Sequence, residues 1–200
     1  MVLPLKVALP MRADPYILQT PTKPLAAPQF TLPDISGYTT DNVIKKIPPV
    51  QAGIVLLQPM ATTVGLEKFL ETVRANEFGK LQNRPDPLAI AVQSGVNTLD
   101  DVVAAVNSPS AIEKTAEGDY ILKVPMVVSH GATLVATGTP EKKLVLKMSA
   151  LTGGMIVNVG QLFIVDANVI SWDDVKNQEA PIDDTTPKVF RPFLAAWNDS

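Results

Sequence analysis

Few side chains in this chain of 200 residues could move a proton, because it contains one histidine and no cysteine. The histidine is His130, and histidine is the residue type that gains or loses a proton near neutral pH. It stands directly before Gly131 at a predicted corner of the chain, where we expect a hydrogen-bonded structural histidine. The absence of cysteine excludes disulfides, thiolate metal sites and cysteine nucleophiles.

Carboxylate and hydroxyl groups give no stronger catalytic pattern. The pairs Asp173-Asp174 and Asp183-Asp184 lie in the polar stretch 173–189, where we expect solvated loop charge. Ser149 and Ser171 have no histidine or acid at motif spacing, so nucleophilic catalysis is not indicated. The sequence also contains no phosphate-binding loop, zinc-ligand spacing or dinucleotide fingerprint. We therefore expect no metal and no cofactor.

The cations supply the one candidate binding residue, Arg191. It stands in a Phe-Arg-Pro-Phe block, and a guanidinium can form two parallel hydrogen bonds with a carboxylate. Structural pairing of Arg191 is the alternative. Lys142, Lys143 and Lys147 could contact a polyanion, but exposed lysines beside a strand commonly serve solubility. No catalytic residue is identified, and Arg191 is the candidate for binding a substrate.

These residues belong to a part of the chain that is organised by an internal repeat. Residues 126–137 return 29 positions later as residues 155–166, and a third copy begins at residues 193–198. Each complete copy has an apolar run, then a glycine, Gly131 or Gly160, and a second apolar run. The glycine falls where the chain must turn sharply, a position where a side chain is least tolerated.

A repeat of 20 to 50 residues is typical of a solenoid, in which stacked units bury one continuous core. Short β-branched or aliphatic runs at 143–147 and 168–172 predict further strands between the copies. The sequence therefore predicts a mainly β fold, a parallel β-helix. A two-sheet sandwich is the alternative, but it gives no reason for a fixed offset. With that offset, Val128 should lie beside Val157, and Leu134 beside Phe163.

The residues before the repeat have an α/β pattern. We expect a buried strand at 53–57, a helix at 64–76 that ends near Gly79, and a strand at 88–92. A second helix follows at 98–106, where Thr98 can cap the amino terminus and two aspartates lie near the positive end of the helix dipole. Such an amphipathic helix is suited to cover the open end of a β-helix.

The chain thus divides into three predicted regions. Residues 1–29 are a proline-rich leader or linker, and at most a weak signal segment. Residues 30–120 form an α/β amino-terminal cap, and residues 121–200 form the first coils. The net charge of −3, with 17 basic and 20 acidic residues, gives no footprint for nucleic acid. No run has the length needed to span a membrane.

Four sequence blocks, in order, resemble the amino-terminal part of the bacterial mannuronan C-5 epimerases that process alginate. They are FTLPDISGYT at 30–39, VVSHGATL at 127–134, IVNVGQLF at 156–163, and FRPFL at 190–194 followed by Trp197. The resemblance implies a right-handed parallel β-helix, a periplasmic location and the conversion of mannuronate to guluronate within the polymer. It implies acidic polysaccharide, polymannuronate or alginate, as the partner, together with periplasmic alginate-export proteins.

The family's catalytic motif, Asp-Pro-His-Asp, is not found in these 200 residues. Epimerisation at C5 requires a group that neutralises the sugar carboxylate, a base on one face of the ring and an acid on the other. We therefore expect an amino-terminal fragment of an isomerase that is inactive alone. The alternative is a noncatalytic β-solenoid module that binds acidic polysaccharide or scaffolds periplasmic proteins. A polysaccharide lyase is a related option, because it begins with the same proton abstraction.

Overall fold

The chain is mainly β, as predicted, and its strands form three sheets. Successive strands of the repeat belong to the three sheets in a fixed order. The computed structural model describes residues 34–66, 75–181 and 190–196, and the elements below belong to the compact unit Ser36–Ser200. The strands in the described residues are β1 Val55–Pro59, β2 Leu88–Val92, β3 Val96–Thr98, β4 Ile112–Lys114, β5 Tyr120–Leu122, β6 Pro125–Val128, β7 Thr133–Thr137, β8 Leu144–Ser149, β9 Met155–Asn158, β10 Gln161–Val165, β11 Ala167–Asp173, β12 Gln178–Glu179 and β13 Leu194–Ala196. The helices described are α1 Thr40–Ile44, α2 Ala75–Leu81 and α3 Leu99–Val106, with a 3₁₀ turn at Met60–Thr62.

The strand order identifies successive coils. Sheet 1 has the order β1-β2-β6-β9-β13, sheet 2 the order β10-β7-β3, and sheet 3 the order β12-β11-β8-β5-β4. From β6 to β8, and again from β9 to β11, the chain adds one strand to each sheet in turn, and we call each such set a coil. The two coils pair in parallel in all three sheets. The third copy of the repeat returns to sheet 1 as β13, beside β9.

The fixed offset of 29 residues is wrong in detail. Met126 lies opposite Ile156 in sheet 1, an offset of 30, whereas Leu134 lies opposite Leu162 in sheet 2, an offset of 28. The cause is the corner between the two strands, which spans residues 129–132 in the first coil and only 159–160 in the second. A slip of one residue moves a side chain to the other face of its sheet. Val157 therefore lies opposite Val127.

The two repeat glycines meet different requirements at these corners. Gly131 has a φ of +81°, a left-handed conformation that is unfavourable for residues with a Cβ. Gly160 is needed for space, because a Cβ there would lie 2.3 Å from the carbonyl oxygen of Ser129 and 2.4 Å from that of Ala132. The second corner thus sits directly on the backbone of the first, as the sequence predicts for a stacked repeat.

Two apolar clusters lie on opposite faces of sheet 1. The inner cluster fills the space between the three sheets, and its fully buried members come from each sheet and from α3; they include Ile90, Leu99, Met126, Leu134, Leu146 and Ile156. The outer cluster covers the other face of sheet 1, and its buried members are Met60, Leu66, Phe78, Ala89, Val127, Met155 and Val157. Both faces of sheet 1 are therefore buried, which explains its continuous apolar strands.

Helix α3 begins as predicted at the cap Thr98. The Thr98 hydroxyl accepts the backbone N–H of Asp101, and the Asp101 carboxylate accepts the backbone N–H of Thr98 at 2.8 Å. This reciprocal arrangement satisfies two amide groups that the helix itself leaves unpaired. Leu99 and Val102 are buried, and the helix contacts β1, β3, β4 and β7, which belong to all three sheets.

Two expectations for the α/β region need correction. The predicted helix at 64–76 lies largely outside the described residues, but Val64 is in a turn, and α2 runs through Gly79 to Leu81. Asn83, with a φ of +49°, provides the left-handed residue after the helix. The strand predicted at 53–57 is not buried. It is β1, at the edge of sheet 1, where only Val55 is buried.

A charged cluster joins α3 to the hairpin of β4 and β5. Lys114 Nζ donates to the two carboxylate oxygens of Asp100 at 2.7 and 3.0 Å, and the Tyr120 hydroxyl donates to the same carboxylate at 2.6 Å. The hydrogen bond from Lys114, followed by that from Tyr120, lowers the pKa of Asp100. Its bond to Asp100 raises the pKa of Lys114. Burial, more than its bond to Asp100, raises the pKa of Tyr120.

The register predicts how core substitutions rank. Leu134 is fully buried, whereas Phe163 lies opposite Val135 and is only partly buried. Leu134→Ala should cost about 2 to 5 kcal/mol of unfolding free energy, and Phe163→Ala should cost less, because its ring loses less buried area. Urea unfolding of the two variants measures both. A larger loss for Phe163→Ala than for Leu134→Ala would contradict this ranking and place the Phe163 ring in the core.

The cluster at Asp100 predicts a pH-dependent contribution to stability. Because its pKa is lowered in the folded chain, the ionised carboxylate stabilises the fold above its ordinary pKa and loses this effect as the pH falls through the lowered value. Asp100→Asn should therefore lower the melting temperature at pH 7, with a difference that shrinks below about pH 4. Glu141→Gln is the matched control, because Glu141 is exposed. A difference for Asp100→Asn that is unchanged at low pH would contradict the role of the charge.

Candidate functional site

Arg191 lies on a segment that is fixed to sheet 1. It is exposed and stands between Phe190 and Pro192, just before β13. Phe190 packs edge-on against the buried Phe78, with ring centroids 5.3 Å apart, and the backbone oxygen of Phe193 accepts the N–H of Ile156 at 3.1 Å. Arg191 is therefore held beside the outer cluster, and its role in binding remains a prediction.

His130 does not have the hydrogen-bonded role expected of it. It is exposed at the corner between β6 and β7, and its side chain forms no hydrogen bond or ion pair with any residue in the described ranges. No described contact joins His130 to an acid or a hydroxyl that would form a catalytic pair with it.

The pair Asp173-Asp174 is not free loop charge, contrary to expectation. One Asp173 carboxylate oxygen accepts the backbone N–H groups of Val175 and Lys176 at 3.1 and 3.0 Å. The other member, Asp174, accepts a hydrogen bond of 2.5 Å from the hydroxyl of the buried Ser149. The Asp173 carboxylate therefore shapes the turn after β11, and the Asp174 carboxylate joins that turn to the end of β8. The second pair, Asp183-Asp184, lies outside the described residues.

The Ser149 hydroxyl is occupied by turn contacts, so it does not form a nucleophile pair with a histidine. It accepts the Thr152 hydroxyl at 2.8 Å, in addition to its bond to Asp174. The second carboxylate oxygen of Asp174 is buried and has no hydrogen-bond partner in the described part of the chain. Ser171 is half-buried within β11, where its backbone oxygen accepts the N–H of Ala180 at 2.9 Å.

Lys147 is a structural residue, which corrects the expectation of an exposed solubilising lysine. Its side chain is only 14% exposed, and its Nζ lies 2.9 Å from the Asp119 carboxylate. The same Nζ lies 4.2 Å from the centroid of the Trp172 ring, within the range of a cation–π contact. Lys147 therefore joins β8 to β11 and to the loop before β5. Lys142 and Lys143 are exposed in the turn before β8.

An open cavity, which the sequence did not predict, lies beside β1. Its volume is about 720 Å³, and its described lining includes Met60, Lys80, Arg84 and Asp86. The signal for it was a loop with alternating prolines and charges before β2, but charge in a loop does not by itself predict a concave surface. We call this feature the loop cavity. Two of its described lining residues, Lys80 and Arg84, are cations that have no ion-pair partner in the described part of the chain.

The described residues give no sign of a metal centre or a membrane helix. They contain no group of three histidine, aspartate or glutamate side chains that could hold a metal ion. None of their helices is long and apolar enough to cross a membrane. What the described site residues offer chemically is charge and hydrogen bonding at the surface.

Several mannuronan C5-epimerases are similar to this chain over most of its length. No protein-family model matches the sequence. The mannuronan C5-epimerase of Pseudomonas aeruginosa is 34% identical over 182 residues, which cover 90% of this chain and 32% of that protein. The epimerase of Pseudomonas syringae pv. tomato is 30% identical over 185 residues, and that of Azotobacter vinelandii, named AlgG, is 32% identical over 166 residues.

Solved structures give the same result. The crystal structure described as the periplasmic alginate epimerase AlgG matches with a TM-score of 0.70 and 28% identity, covering 86% of this chain and 39% of that one. A double mutant of it matches with a TM-score of 0.71. The chain spans about a third of the length of the curated relatives it matches. In both sequence and fold, this chain is therefore similar to about a third of a mannuronan C5-epimerase.

Proposed function

We propose that this chain forms the amino-terminal cap and first coils of a mannuronan C-5 epimerase, an isomerase that converts mannuronate to guluronate in alginate. The observation that carries the proposal is the combined match in sequence and fold over most of the chain, at 34% identity and a TM-score of 0.70. The proposed location is the periplasm, which is the location stated for the related crystal structures.

The proposed architecture is a right-handed parallel β-helix. Parallel pairing of successive coils in three sheets supports it, because each coil then completes the hydrogen bonds and buries the apolar face of the one before. Helix α3 is the proposed cap, since it contacts strands of all three sheets. The proposed regions are a leader or linker at 1–29, the cap at 30–120 and the first coils at 121–200.

The proposed partner is an acidic polysaccharide, polymannuronate or alginate, and periplasmic alginate-export proteins are further proposed partners of the whole protein. Proton abstraction at C5 needs a base, an acid and a group that neutralises the carboxylate around one sugar. The described residues do not bring three such groups together. We therefore assign catalysis to residues outside this chain, and we assign to its own residues the support of the coils that follow.

A noncatalytic module that binds acidic polysaccharide is the second candidate function. It is favoured by one observation, the unpaired cations of the loop cavity. The two functions differ in what they require of the coils. A supporting role requires β10, β13 and the part of β11 that β12 leaves unpaired to carry further strands, whereas a binding module requires only the surface.

The chain alone should not epimerise polymannuronate, because its one histidine is exposed and has no described partner. General-base help is typically worth on the order of a hundredfold or more in rate, so its loss should remove measurable turnover. Proton NMR of polymannuronate incubated with the purified chain measures guluronate directly, with the Pseudomonas aeruginosa epimerase as the positive control. Guluronate that forms with the chain, and disappears with His130→Ala, would contradict this assignment.

A chimera tests the supporting role. When this chain replaces the matching third of the Pseudomonas aeruginosa epimerase, the chimera should form guluronate, because the first coils would present the strand edges on which the catalytic coils stack. The same enzyme lacking that third is the control and should be inactive. A chimera that melts cooperatively but forms no guluronate would count against the proposed function.

A further inference from the structure

The loop cavity has the size and the wall chemistry of a sugar-binding site. Its volume of about 720 Å³ lies within the range that holds small ligands in proteins. Apolar C–H surface from Pro59 and Pro87 lines one part of it. Such surface can pack against the C–H face of a pyranose ring, while the polar groups at the rim bond to its hydroxyls.

The charges around the cavity favour an anionic ligand. Lys80 and Arg84 both line it and are exposed, and the carboxylate of Asp86 is the single acid in its described lining. None of the three forms an ion pair or a side-chain hydrogen bond in the described part of the chain. Two cations and one carboxylate leave a net positive charge. A ligand carboxylate can therefore bind without displacing an existing partner.

The loop that carries these charges is held in place before any ligand binds. The side-chain amide of Gln82 donates to the carbonyl oxygen of Leu88 at 2.9 Å, and its oxygen accepts the N–H of Leu88 at 2.7 Å. The N–H of Met60 donates to the oxygen of Pro87 at 2.7 Å, and that of Arg84 donates to the oxygen of Gly79 at 2.9 Å. A preorganised loop loses little conformational entropy on binding.

We propose that the loop cavity binds a uronate residue of an acidic polysaccharide. Arg84 and Lys80 would hold the carboxylate, and Asp86 would accept hydrogen bonds from ring hydroxyls. The choice of polymannuronate as the polymer rests on the proposed function. The cavity lies beside β1, and four strand spacings, roughly 19 Å, separate β1 from β13 across sheet 1. The proposed site therefore lies beside the edge of sheet 1 that β1 forms, opposite the edge that β13 forms.

Binding of mannuronate oligomers to the purified 200-residue chain tests the site. Isothermal titration should detect binding that weakens by about tenfold or more in Arg84→Gln and in Lys80→Gln, because each removes a charge-assisted hydrogen bond. Lys143→Gln is the matched control, since Lys143 is an exposed lysine in the turn before β8. Neutral mannose oligomers of equal length should bind more weakly, and ligand-induced amide shifts in the NMR spectrum should map to residues 79–87.

Three results would overturn the site. These are no binding at millimolar oligomer, equal binding by wild type and a folded Arg84→Gln variant, and equal affinity for neutral and acidic oligomers. The chimera separates this inference from the proposed function. If the chimera is active but the isolated 200-residue chain binds no oligomer, the proposed function stands and the proposed binding site at the loop cavity is wrong. Oligomer binding at the cavity together with an inactive chimera would support the binding site and count against the proposed function.

Discussion

The structure depends on pairing between coils, because no coil can bury its own apolar strands or satisfy its own backbone. Each strand of one coil pairs with a strand of the other coil that lies 23 to 30 residues away in the sequence, as Leu146 opposite Val169 and Met126 opposite Ile156 illustrate. Burial of the inner cluster and formation of the parallel ladders are therefore one event. A change that moves one strand out of register exposes side chains in the neighbouring coil as well.

The elements at the first end of this stack are of a different kind. Strand β1 pairs antiparallel with β2, and β4 pairs antiparallel with β5, so the sheets do not continue by simple repetition there. Helix α3 lies against the same end, with Leu99 buried and its first turn tied to β4 and β5 through Asp100. The sheets therefore change from parallel to antiparallel pairing at this end, in two of the three sheets.

The sequence predicted the elements that depend on local pattern and missed what depends on distant neighbours. The strand at 88–92 and the cap at Thr98 are as predicted, because both are determined by a few adjacent residues. The repeat predicted which strands pair, but the register also depends on the length of the corner between the strands. The second corner is two residues shorter than the first, and this difference is hidden when the two copies are aligned on their glycines. The cation–π contact of Lys147 joins strands that are not adjacent in sequence, so no local pattern indicated it.

The same distinction separates the charges that hold the coils from those that remain available to a ligand. Lys147 and Lys123 join neighbouring strands and loops through Asp119 and Glu113, at 2.9 Å in each case. A cation that is already paired in this way can bind a ligand carboxylate only if its first partner is left unpaired. The lost pairing then offsets much of the favourable free energy of binding the ligand. Recognition of an acidic ligand is therefore expected at cations that have no such partner. In the described part of the chain, Arg84 in the loop before β2 is one of them.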